Sequence, residues 1–229
     1  MVVFAAEHIY RLLLQTHGKQ GWWPADSVFE VVIGSVLTQN TAWKNVEKAI
    51  LQLKKVCPLD AHYILKLGHD ALADAIRPSG YFNIKAKRLR NICEWWIDWC
   101  SQDNSSKNTD EIRKSLLKVN GIGPETADDI LLYALGRPVF VIDTYTRRIF
   151  ERLGLVEADW NYETLRQWFE TSLATATADS DRVQLFNEYH ALIVKHAKDI
   201  CQKKQPLCEQ CCLQVGCSYA HRSRSCHLN

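Results

Sequence analysis

No apolar run in this 229-residue chain approaches the roughly 20 residues that span a bilayer. The longest candidate, Ile130 to Ile142, is broken by Gly136, Arg137 and Pro138. The N-terminal stretch MVVFAAEHIYRLLLQ has no basic n-region and meets Glu7 and Arg11 early, so it does not read as a signal peptide. Neither sign of charge dominates, since 28 Lys and Arg against 26 Asp and Glu leave a formal net charge of +2. Proline (6) and glycine (10) are few, which disfavours a turn-rich β fold and excludes collagen-like or disordered chains. What remains is an intracellular, cytoplasmic composition with enough length for one large domain or two small ones.

Against these absences stand eight tryptophans and nine cysteines. Large aromatics either fill cores or offer stacking platforms. Cysteines without a secretory signal argue for metal ligands or buried thiols rather than disulfides. Helical periodicity dominates the chain: 4–16, 28–37, 46–53, 70–76, 84–99 and a last long stretch ending near Ile200. The tract SQDNSSKNTD from Ser101 to Asp110 has no apolar residue and reads as a loop, and Ala174 to Arg182 is a second polar tract. Only Val139 to Ile142 resembles a strand, so the fold class is all-α. Charge is uneven: Arg77 to Asn91 carries Arg77, Lys85, Lys87, Arg88 and Arg90 with no acid, and the chain from Lys195 onward is also basic. Such patches suit a polyanion, although a solvated helix face explains either one alone.

Cys201-x6-Cys208-x2-Cys211-x5-Cys217 is the sharpest local signal. Four thiolates on short loops can close around a metal centre. Zinc is the competing metal, but its sites usually pair two short Cys knuckles and only one is present here. Upstream, Leu116 to Ala127 reads as helix, hairpin, helix around Gly121-Ile122-Gly123, a backbone cradle for phosphate beside the helix start at Pro124. About twenty residues later Asp143 leaves the apolar run just before a helical pattern resumes, where an N-cap is its simplest role.

Glycine hairpin, apolar stretch, Asp143 and cysteine loop together resemble the helix–hairpin–helix DNA glycosylases of the endonuclease III superfamily, from about residue 20 to Cys217. The resemblance implies a [4Fe–4S] cluster held by Cys201, Cys208, Cys211 and Cys217, with Cys212 left out. It implies that Asp143 assists N-glycosidic bond cleavage, either by activating water or by stabilising an oxocarbenium-like sugar; a nearby anion suits that cationic transition state. DNA contacts fall to Gly121, Ile122, Gly123 and Thr126, and Gln39 or Asn40 becomes the wedge that fills the gap left by a flipped nucleotide. Bifunctional members carry a Schiff-base lysine just inside the second hairpin helix; here that position is Glu125, which cannot form an imine, so a monofunctional enzyme is expected.

Gly21-Trp22-Trp23-Pro24, Leu37-Thr38-Gln39-Asn40-Thr41 and Arg77-Pro78-Ser79-Gly80-Tyr81-Phe82-Asn83 are similar to the bacterial 3-methyladenine branch. That likeness implies a base pocket with Trp22, Trp23 and Pro24 on one side and Trp43 on the other, where that branch has a phenylalanine and lacks the cysteine loop. An alkylated purine is cationic and stacks well on indole. Excision of mismatched uracil or thymine is the second reading, and a non-catalytic DNA-binding iron–sulfur protein the reading of another class. The architecture implied has a central helical domain over 26–137, and a second domain from 1–25 plus 138–229 that carries the cluster loop. Duplex DNA with a damaged base would lie across the cleft between them, bound by a monomer associated with the bacterial nucleoid. The cluster would have a structural and DNA-positioning role.

Overall fold

The computed structural model describes residues 5–23 and 25–225. All regular structure among the described residues is helical, and Val139 to Ile142 is extended chain without a strand partner, its four side chains almost wholly buried. The chain divides into two compact units, one formed by residues 23–137 and the other by the segments on either side.

In the 23–137 unit, α2 (Val28–Leu37) is the central rod. Every residue from Phe29 to Leu37 is buried, as its near-continuous apolar sequence requires. Ser27 starts this helix by accepting a hydrogen bond from the Glu30 N–H, and Glu30 in turn meets Lys54 on α3 (Trp43–Val56) at 2.7 Å. Two short helices follow, α4 (Ala61–Lys66) and α5 (His69–Ala75), before the long α6 (Phe82–Ser101). Arg90 of α6 donates to the carbonyls of Leu65 and Leu67, closing the end of α4. Asn108 and Glu111 form a reciprocal capping box that opens α7 (Thr109–Leu117). A tight turn leads to α8 (Pro124–Asp129), which runs on into a π-helical turn, Ile130–Ala134. The two helices of this hairpin are pinned by Arg113 of α7, which donates Nε (2.6 Å) and Nη2 (3.1 Å) to the fully buried Asp128 of α8.

In the other unit, α1 (Ala6–His17), α9 (Thr144–Leu153), α10 (Tyr162–Ser172), α11 (Arg182–Asp199) and α12 (Ser218–Ser225) surround an aromatic core. Phe140 stacks on Phe169 at 4.2 Å between centroids, and Phe150, Phe186 and Tyr189 close around them edge-on. The Tyr189 hydroxyl, sealed in this core, donates to the Ala6 carbonyl at 2.7 Å and so ties α11 to α1. The extended run before α9 is anchored by Glu170, whose carboxylate accepts from the Phe140 N–H.

Replacing Arg113 with Met takes from Asp128 its bidentate guanidinium inside the hairpin. This variant is expected to lose about 3–5 kcal/mol of stability in denaturant unfolding. Adding Asp128→Leu should restore most of that loss, because the buried charge disappears with its partner.

Candidate functional site

Asp143 is the N-cap of α9, with an extended backbone. Its Oδ1 accepts from the Thr146 N–H at 2.7 Å, and its Oδ2 lies 3.6 Å from Nε2 of His190 on α11. Capping and a chemical role are therefore compatible, because they use different oxygens. The side chain is 13% exposed. Burial pushes its pKa up, but the neighbouring His190 and the Thr146 hydrogen bonds outweigh burial and hold it below the ordinary value. The group is an anion at neutral pH.

The tryptophans fall into two groups. In the unit with Asp143, the Lys198 ammonium stands 5.8 Å from the Trp22 ring and 5.9 Å from Tyr145, and the Arg148 guanidinium lies 5.2 Å from Tyr145. In the other unit, Trp23 meets Trp43 edge to face at 4.9 Å and Tyr133 at 5.0 Å. The Trp43 indole donates to Glu47 at 3.0 Å. A Cβ added to Gly34 of α2 would come within 3.3 Å of Trp23 and 3.5 Å of Trp43, so glycine there makes room for both indoles. The edge-on contact leaves no slot between Trp23 and Trp43 for a stacked base. Pro24 lies outside the described residues.

The hairpin turn differs from its expected form. Gly121 has φ +92°, and a Cβ there would run into the side chain of Arg88, so this position requires glycine twice over. Gly123 has extended backbone and open space around it, and with Pro124 and Glu125 it is exposed; here glycine leaves the backbone approachable. The side chains of Ile122 and Thr126, expected to contact DNA, are each only 5% exposed. Ile122 fills the core, its N–H donates to Val119, and the Thr126 hydroxyl accepts from Gln39; DNA can reach these two residues only through backbone.

Gln39, expected as a wedge, is instead engaged within its own unit. Its amide donates to Gly121 O (3.1 Å) and Thr126 Oγ1 (2.9 Å), and its carbonyl accepts from Arg88. Asn40 is the exposed residue of the pair, with φ +54°. Sequence reasoning missed Tyr81, which is 68% exposed with φ +49° at the start of α6. The Gly80-Tyr81 step ahead of a basic helix was the available signal. The loops bearing Asn40 and Tyr81 are joined by Lys85, a fully buried ammonium that donates to Leu37 O (2.8 Å) and Ser79 O (2.7 Å). Burial, with the Arg88 charge adding, pulls Lys85 down to about 8.

Cys201, Cys208, Cys211 and Cys217 all line one partly open pocket, together with Arg152, Leu207 and other residues. Cys212 is not among its lining residues. Arg152 donates to Cys201 Sγ at 3.2 Å, Arg148 to the Cys201 carbonyl at 3.1 Å, and His196 Nε2 lies 3.4 Å from Cys211 Sγ. Among the described residues no group of three or more His, Cys, Asp or Glu side chains converges on one ion-sized point. The four cysteines nonetheless border the same pocket, with the Arg152 guanidinium beside Cys201. Four cysteines on one pocket are a donor set that thiolate-ligated centres use, a zinc ion as well as an iron–sulfur cluster.

Comparison with known proteins gives the chain a family. Residues 33–174 match the HhH-GPD superfamily of base excision DNA repair proteins. A provisionally named DNA repair glycosylase of Methanocaldococcus jannaschii is 44% identical over 213 residues, covering 91% of this chain and 94% of that protein. The 3-methyladenine DNA glycosylase of Helicobacter pylori, solved with 1,N6-ethenoadenine, is 29% identical with a TM-score of 0.73, over 85% of this chain and 98% of that one. Endonuclease III in a non-covalent complex with DNA has a TM-score of 0.78 at 20% identity, over 98% of this chain and 100% of that one, a likeness of fold. The chain belongs to the HhH-GPD superfamily, and it is a DNA glycosylase of base excision repair.

Gly121→Ala should unfold at lower denaturant, by about 2 kcal/mol or more, and lose affinity for duplex DNA in fluorescence anisotropy. Gly123→Ala should keep its stability within about 0.5 kcal/mol while still binding DNA less tightly. Asp143→Asn keeps a competent cap and removes only the charge. Because the native carboxyl pKa lies below its ordinary 3.8, the charge contributes stability above that value and loses it as pH falls through the native one. The stability gap between wild type and Asp143→Asn should stay level from pH 7 to about 5 and shrink in stronger acid, as thermal unfolding would measure.

Proposed function

We propose that this superfamily member is a monofunctional alkylpurine DNA glycosylase, which hydrolyses the bond between deoxyribose and a flipped-out, cationic methylated purine such as 3-methyladenine, without cutting the strand. The observation that carries the hydrolytic reading is Asp143, an ionised carboxylate kept in a largely buried position by a helix N-terminus and a histidine. As the C1′–N bond breaks, its electron pair leaves with the base, which departs neutral. Positive charge moves onto the sugar, where a fixed anion stabilises it without reorganisation. Water then bonds to C1′, and its proton passes to the carboxylate and on to solvent.

The substrate class rests on the indoles and on the Helicobacter pylori relative, which is named for 3-methyladenine and was solved with an ethenoadenine. The Trp43 indole is an electron-rich ring of the kind that attracts a cationic base. This electrostatic attraction matters because a methylated purine presents few distinctive edges for hydrogen bonding. Glu125, exposed where bifunctional relatives carry a nucleophilic lysine, supports hydrolysis without a Schiff base. Extrusion of the base costs a few kcal/mol of stacking. We assign Asn40 and Tyr81 to fill the gap, as exposed side chains on left-handed backbone positions.

Cys201, Cys208, Cys211 and Cys217 would hold a [4Fe–4S] cluster, which when bound supplies a rigid cross-link for the C-terminal loop. Arg148 and Arg152 of α9 grip the carbonyl of Cys201, so the cysteine loop and the helix capped by Asp143 are fastened together by the chain's own side chains.

The test is base release from methylated DNA beside matched duplexes holding U:G and T:G. Free 3-methyladenine, with strand breaks appearing only after alkali and no borohydride-trapped enzyme–DNA adduct, supports the proposal. Release confined to the mismatched duplexes would make the enzyme a uracil/thymine glycosylase, and a trapped adduct would refute its monofunctional character. Iron and acid-labile sulfide in equal amounts, both lost in a Cys208→Ser/Cys217→Ser variant, are expected of the purified chain.

A further inference from the structure

We propose that His190 is a positioning residue for the reaction, a side chain that never touches the DNA but fixes the direction in which the Asp143 carboxylate points. The inference rests on the reading of Asp143 given above and extends it to a second element, α11. The two oxygens of Asp143 are held from different sides. Thr146, three residues on in the same helix, holds Oδ1 through its backbone N–H at 2.7 Å. That bond alone leaves the carboxyl group free to rotate about the capped oxygen. Beside Oδ2 stands Nε2 of His190, at 3.6 Å.

His190 is well suited to act as a fixed stop. It is 6% exposed and sits in the middle of α11, where Tyr189, Ala191, Leu192 and Ile193 are all fully buried. The neighbouring Tyr189 is itself tied to the Ala6 carbonyl and to the aromatic core, so the helix face carrying His190 has little freedom to shift. A separation of 3.6 Å is slightly longer than a good hydrogen bond. Hydrogen bonds at catalytic groups are often long before substrate binds and tighten in the complex, and this gap is within reach of such a change. The balance of forces on the carboxylate agrees with this geometry: His190 is the main influence opposing burial. An imidazole buried in a helical core for packing alone would leave the rate of base release indifferent to its nitrogen.

The experiment compares wild type, His190→Leu, His190→Gln and Asp143→Asn, each as the purified full chain, on a duplex containing one 3-methyladenine analogue. It records single-turnover rate, duplex affinity and melting temperature. His190→Leu should lose rate by the order of a hundredfold, as misorientation of a reacting group does, with affinity retained. His190→Gln, which places a side-chain N–H near the same point, should recover most of the rate. The double variant Asp143→Asn/His190→Leu should be no slower than Asp143→Asn alone, since the histidine then has no carboxylate to orient. A His190→Leu enzyme as fast as wild type, or a further loss in the Asp143→Asn background, would overturn the proposal. Should His190→Leu fail to fold, the pair His190→Gln and His190→Met decides: a rate kept by the first and lost by the second supports the inference, and a His190→Met enzyme as fast as wild type refutes it. Failure of wild type to release the base, by contrast, would count against the proposed substrate and not against His190.

Discussion

Asp143 divides its two oxygens between separate tasks, and the candidate site depends on that division. One oxygen accepts from the Thr146 N–H in the first turn of α9, which fixes the position of the carboxylate to within a hydrogen bond. The other stands beside His190 at the buried face of α11. Burial alone would favour the neutral acid, which could neither accept a proton from water nor stabilise a cationic sugar. The helix N-terminus and the histidine reverse that preference, so the fold supplies an anion where solvent would otherwise be needed to support one. The aromatic core behind α9 and α11 makes both supports rigid.

A comparable economy governs the hairpin unit. Gln39 reaches from the end of α2 to both halves of the hairpin, donating to Gly121 and Thr126, while Arg88 of α6 packs its stem over Gly121 and grips the Gln39 carbonyl. The glycine is required because the arginine occupies the place of its Cβ. Arg113 and Asp128 close the same hairpin from inside. Lys85 then fastens the loops that display Asn40 and Tyr81 by donating to a carbonyl in each. The groups left exposed, Gly123 with its open backbone and the two residues at left-handed positions, are presented by a framework that Gln39, Arg88, Arg113 and Lys85 tie together.

The helical class and the run of α2 from Val28 to Leu37 were readable because an uninterrupted apolar stretch between a serine cap and polar residues has few other solutions. The hairpin was readable from its glycines, and the grouping of four cysteines from their spacing; both signals are local. Helix α4, six residues long, is too short to show a period, whereas α10 buries an apolar face, Leu165 and Phe169, that its sequence does carry. Val139 to Ile142 has strand-like composition, but its backbone groups meet side chains such as Glu170 and Tyr162 instead of a second strand. The engagement of Gln39 was invisible, since its partners are 49 to 87 residues away. For the same reason Ile122 and Thr126 looked exposed in a turn motif when tertiary packing buries them. His190 carried no sequence signal at all; only the folding of α11 against the start of α9 brings it to Asp143.

The central claim is that the Asp143 carboxylate acts in bond cleavage and not merely as a helix cap. The most direct measurement is single-turnover release of a methylated purine by wild type and Asp143→Asn, with duplex affinity and melting temperature taken on the same samples. Asparagine caps a helix nearly as well as aspartate, so the account predicts unchanged folding and affinity with the rate reduced by a hundredfold or more, of the order expected for lost acid–base and electrostatic catalysis. An Asp143→Asn enzyme that releases the base at the wild-type rate would contradict it and reduce Asp143 to a structural residue.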